Sequence, residues 1–138
     1  MNALDPKPTL LIADWNSSSE DVPDMGYVPG MGWVPYTPPY MQAVGAGYLD
    51  SWLLQDKYDD GYTSGFDEYV SDPDAELTSR IDIIWLAPDT LTLDKVSATV
   101  VGEEEIDMVP NTYPGAPEDA MLWPSDHAGV VAKIKFLE

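Results

Sequence analysis

Three short clusters in this chain join a carboxylate to a second polar or ionisable side chain at the edge of an apolar run. Asp14 and Asn16 flank Trp15 just after the run at residues 9–13. Arg80 and Asp82 flank Ile81 at the head of a second run. Ser125, Asp126 and His127 stand together before a third, and His127 is the only histidine. Hydrolysis of a phosphate ester needs a hard divalent cation, a water held in line and a counter-charge for the developing oxyanion. Asp and Asn oxygens suit Mg²⁺ or Mn²⁺. An imidazole oriented by a carboxylate can hold a phosphoryl oxygen or move a proton. Each residue also has a plainer role: Asp14 and Asn16 as turn formers or caps, His127 as a surface side chain. Asp82 lies between two isoleucines, where an unpaired carboxylate costs free energy; a purely structural partner for it would be Arg80 or a lysine.

Positioning these clusters requires rigid elements that end at them. Residues 9–13 read as a short buried strand stopping at Asp14. Residues 17–39 hold Pro23, Pro29, Pro35, Pro38 and Pro39 and read as a loop. Met25, Tyr27, Met31, Trp33 and Tyr36 give that loop apolar bulk, so it is expected to pack as a wall of the site. Residues 40–55 carry Met41, Val44, Leu49, Trp52 and Leu53 at helical spacing, split by Gly45 and Gly47 into two short helices. Residues 57–78 form a polar loop. Residues 80–86 and 91–101 are strands by composition and partial alternation. Residues 103–124 form a long acidic loop, and 129–136 alternate as a strand with one dry face. About four strands and one or two helices make the class α+β, in one domain spanning 1–138.

Composition narrows the partners. Asp and Glu number 25 against 6 Lys and Arg, a formal charge of -19. Nucleic-acid affinity comes largely from Lys and Arg on phosphates. Strong nucleic-acid binding is therefore disfavoured, and a small phosphate ester, or a nucleic acid held partly through a metal, fits better. High acidity also serves solubility alone. The absence of cysteine excludes disulfides and thiolate metal sites. No apolar run has the length of a signal peptide or membrane span, so no membrane partner is expected. The compartment stays open.

The clusters resemble, in order, three motifs of the endonuclease/exonuclease/phosphatase (DNase I-like) family. Ala13-Asp14-Trp15-Asn16 is similar to its Gly-Asp-Phe-Asn motif. Ser79-Arg80-Ile81-Asp82-Ile83-Ile84 is similar to Arg-Ile-Asp-Tyr-Ile. Trp123-Pro124-Ser125-Asp126-His127-Ala128-Gly129-Val130-Val131 is close to its terminal Ser-Asp-His motif. The segment from Gly47 to Trp52 is similar to the helix after the first motif, and the resemblance runs from residue 9 to 136. Ala13, Trp15 and Ile83 depart from the usual glycine, phenylalanine and aromatic. The resemblance implies metal-dependent hydrolysis of phosphodiesters or phosphomonoesters, with Mg²⁺ or Mn²⁺. It implies that Asp14 positions or deprotonates the water, Asn16 holds phosphate, Asp126 and Asp14 ligate the cation, His127 contacts the scissile phosphate, and Asp82 sets its tautomer.

What the chain lacks matters equally. The family fold is a four-layer sandwich of two sheets with helices outside. Its N-terminal half supplies an Asn, a metal-binding Glu and a further His or Tyr, and only 13 residues precede Asp14. The chain is thus expected to be the C-terminal half, with an apolar sheet face of valines and isoleucines left open. Sheet-to-sheet homodimerisation is one way to cover it; a separate N-terminal half is the other. The alternative function is a non-catalytic half-domain or subunit with no activity alone.

Overall fold

The computed structural model describes residues 9–56, 59–88 and 92–137. It is an α+β arrangement, mostly small antiparallel sheets with one helix. Strand β1 (Leu10–Asp14) pairs antiparallel with β5 (Asp82–Leu86), and β5 pairs on its other side with β4 (Leu49–Asp50). The register sets Asp14 opposite Asp82 and Ile12 opposite Ile84. Because side chains alternate, one face carries Leu10, Ile12, Asp14, Asp82, Ile84 and Leu86. The other carries Ile83 and Trp85, against which helix α1 (Pro39–Gly45) packs Tyr40 and Ala43.

Helix α1 starts where Pro39, at the first helical position, needs no N–H partner. The next free amide, of Tyr40, donates to Ser17 Oγ at 3.1 Å, which ties the helix to the loop after Asn16. The chain turns out of the helix at Gly47, whose φ is +87°. Asp50 Oδ1 then accepts from the Trp52 amide and caps a 3-10 turn, Ser51–Leu54. The expected pair of helices is therefore one α-helix and one 3-10 turn, separated by β4.

Strands β6 (Leu93–Val101) and β9 (Gly129–Phe136) form a second antiparallel pair. Their inward residues Ala98, Val100, Val130 and Ala132 gather with Ala128, Phe66 and Leu77 around Trp52, on the 3-10 turn that also lies against β5. The outward face is mixed but holds three lysines: Lys95, Ser97 and Thr99 lie opposite Lys135, Lys133 and Val131. Val96 and Val100 face inward and are buried, while Val101 and Val131 are exposed on the outward face.

Strand β1 departs from expectation: all five of its residues are exposed. It has one hydrogen-bonded neighbour, so apolar composition marked a strand and not its burial. Residues 17–39 also form more than a loop. Strand β2 (Asp24–Val28) and β3 (Gly32–Tyr36) make an antiparallel hairpin whose turn uses Gly30 and Gly32 at φ +86° and +78°. The hairpin packs extensively on no other strand or helix, so it is not the packed wall expected. The acidic stretch 103–124 holds a 3-10 turn, Glu105–Asp107, and a two-residue pair, β7 (Val109–Pro110) with β8 (Met121–Leu122). Of the strand expected at 91–101, residue 91 lies outside the described residues, as do 57 and 58 of the polar loop. Among the described residues, no helix is long and apolar enough to cross a membrane.

Candidate functional site

Asp82, at the head of β5, hydrogen-bonds His127 Nδ1 through Oδ2 at 3.0 Å. Both side chains are about three-quarters buried, at 22% and 24% exposure. A carboxylate only accepts, so the proton of this bond sits on Nδ1 and leaves Nε2 for another partner. This bond relieves the cost of a carboxylate between two isoleucines. Arg80 is not its partner: Arg80 Nη1 donates to Asp50 Oδ2 at 2.6 Å, where Tyr40 Oη also donates at 2.9 Å.

Asp14 stands across the strand pair from Asp82. Its Oδ1 accepts from the Asn16 amide at 2.8 Å and its Oδ2 from Asn16 Nδ2 at 3.1 Å. Asn16 adopts φ +46°, a left-handed conformation that Asn tolerates better than most residues. Asp21 anchors the following loop by accepting from Ser17 Oγ, the Ser18 amide and Ser18 Oγ. The Ser17 hydroxyl and then the Ser18 amide hold its carboxyl below the ordinary 3.8.

Ligand atoms of Asp14, Asp82 and His127 all lie within 4.8 Å of one another. Three clusters far apart in sequence therefore meet at one point. Asn16 joins them through Asp14. Asp126 is not one of the three: it is exposed, and its Oδ1 accepts from Ser125 Oγ at 3.1 Å. A shallow cleft beside the cluster is lined by Ile12, Asp14, Asp82, Ile84, Gly129 and Val130.

The residue that joins the two strands was missed in the sequence. Thr63, fully buried, accepts from the Ile81 and Asp82 amides through Oγ1, both at 3.2 Å. Its carbonyl accepts from the Ala128 amide at 2.8 Å, and its neighbour Ser64 bridges to both Ser79 and His127. Thr63 thus clasps the head of β5 to the segment carrying His127. Nothing in a polar loop rich in Asp, Gly and Tyr distinguishes this threonine from its neighbours.

No protein-family model, curated protein or solved structure matches this chain.

Proposed function

We propose that this chain is a metal-dependent phosphoesterase of the endonuclease/exonuclease/phosphatase kind, a single domain equivalent to that family's C-terminal half. One observation supports this above the rest: the meeting of Asp14, Asp82 and His127, one from each motif, with Asp82 bonded to His127 Nδ1. Asp82 is then a positioning residue, fixing the tautomer so that Nε2 faces a phosphoryl oxygen. Asp14 orients or deprotonates the attacking water, and Asn16 holds both that carboxylate and the phosphate.

The donors fit a hard cation. With His127 Nδ1 committed to Asp82, carboxylate oxygens remain, and these suit Mg²⁺ or Mn²⁺ over softer ions. Asp14 and the exposed Asp126 would hold it. A bound cation would polarise the phosphoryl oxygen. The four-layer sandwich is completed, in this proposal, by a second copy packed sheet to sheet. The lysines on the outward face of β6 and β9 restrict that packing to the β1 side.

The test is hydrolysis of bis(4-nitrophenyl) phosphate with added Mg²⁺ or Mn²⁺. Activity should require the metal and fall at least ~10²-fold in His127→Ala, the scale of losing one acid–base or electrostatic group. Asp82→Asn should lower kcat more than it raises KM. Asp126 standing outside the group of three favours a second reading: a non-catalytic half that needs a separate N-terminal partner. Metal-independent background rates, equal in wild type and His127→Ala, would decide for that reading.

A further inference from the structure

The hairpin of β2 and β3 presents Met25, Tyr27, Trp33 and Pro35 on one face, since Met25 pairs with Pro35 and Tyr27 with Trp33. The Tyr27 and Trp33 rings meet edge to face at 5.7 Å, and they are 63% and 68% exposed. Met31, at the tip, is 73% exposed. A two-stranded hairpin is marginal by itself in water, and this one leaves its aromatic pair uncovered. A second uncovered apolar surface lies on β1, where Leu10 and Ile12 share one face and Ile12 is 67% exposed.

Charge singles out the same surfaces. In a chain 22% charged, residues 25–49 contain no Asp, Glu, Lys, Arg or His, and neither do residues 9–13. Two copies at -19 each repel, and that repulsion is weakest where the facing surfaces carry fewest charges; the Leu10 and Ile12 face carries Asp14 and Asp82 only at its end. The exposed cations Lys95, Lys133 and Lys135 lie together on the outward face of β6 and β9, with Lys95 directly opposite Lys135. Stacking that face on its own copy would set like charges together.

We infer that the hairpin is a dimerisation arm, laid by each copy over the Leu10 and Ile12 face of the other. One two-fold operator then covers both apolar surfaces in both copies. Covering the hairpin face and tip removes on the order of 600 Å² per copy, given about 150–250 Å² for each aromatic. That reaches the lower end of stable interfaces, about 1,200 Å² in total. The arm arrives beside Ile12, which lines the cleft with Asp14 and Asp82, so each copy would wall the other's site. The inference keeps the homodimer proposed above, though not its chemistry, and sets the partner's hairpin rather than its sheet on the β1 face.

Light scattering and sedimentation on the full chain test it. The wild type should be a dimer whose dissociation constant tightens on going from low salt to about 0.5 M NaCl, because screening removes repulsion. Trp33→Asp and Ile12→Asp should each weaken the dimer roughly tenfold or more, as loss of a buried anchor does. Trp33→Ala should weaken it as well, and Lys133→Ala should leave it intact. A wild type monomeric at both salts overturns the arm, as does a dimer that survives either Trp33→Asp or Ile12→Asp, or one loosened by salt. An active monomer would overturn the arm and spare the chemistry; an inactive dimer sensitive to both substitutions would do the reverse.

Discussion

Tyr40 carries the clearest titration consequence at the scale of single residues. Its hydroxyl donates to the buried Asp50 carboxylate, which is itself paired with Arg80. Burial first, then the Asp50 charge and hydrogen bond, push the Tyr40 pKa up from 10.0 to about 12. The folded state therefore favours the neutral phenol. That stabilisation is complete below pH 10 and is lost as pH rises towards 12. Unfolding midpoints followed by circular dichroism should fall across this window. In Tyr40→Phe the fall should flatten, with a lower plateau at neutral pH because Asp50 loses one donor. An unchanged alkaline slope in Tyr40→Phe would place the titration elsewhere. Residue types alone leave the partner of Asp82 open between Arg80 and a lysine, whereas the family resemblance assigns it to His127. The chain offers six Lys and Arg and one imidazole, and the bond to His127 depends on where β9 begins, which is a tertiary fact.

The elements were legible where period and composition agreed. Strands β5, β6 and β9 follow from apolar runs and alternation, and the break between α1 and the 3-10 turn follows from Gly45 and Gly47. The hairpin was not legible, because five prolines outweighed the short alternating stretch between them. Pro35 is tolerated there in a two-stranded sheet that offers an open edge. The clasp through Thr63 escaped for another reason: its hydrogen bonds are to backbone far away in sequence. That segment is held in place by Gly61. A Cβ there would lie 2.1 Å from the Trp52 ring, and its φ is +63°. Gly61→Ala should therefore destabilise the fold by at least ~2 kcal/mol, combining overpacking of about 1–3 kcal/mol with left-handed strain of about 1–2 kcal/mol. The same variant should broaden the His127 ring resonances in NMR spectra, since backbone bridges join Thr63 to Ala128 and Ser64 to His127. Stability within about 0.5 kcal/mol of wild type would mean that Trp52 yields without cost.

Over the whole molecule, the excess of acidic groups sets the response to salt. Screening weakens attraction and repulsion alike, so the sign depends on which is more abundant at the surface. Among the described residues, the Arg80 pair with Asp50 is buried and screened little, and the His127 pair with Asp82 is largely buried. The Lys135 pair with Asp94 is the exposed one. The chain as a whole carries 25 acidic residues against 6 Lys and Arg. Repulsion therefore dominates, and compaction works against it. Raising NaCl from about 0.02 M to 0.5 M shortens the Debye length from roughly 20 Å to about 4 Å. The midpoint of thermal unfolding should then rise by several degrees, which corresponds to about 1 kcal/mol for a chain of this size. The measurement belongs on Trp33→Asp at low protein concentration, where dimerisation contributes nothing to the shift. A midpoint that falls with salt would mean that surface attractions outweigh the net charge. In that case the repulsion argument for a charge-poor contact surface would fail with it.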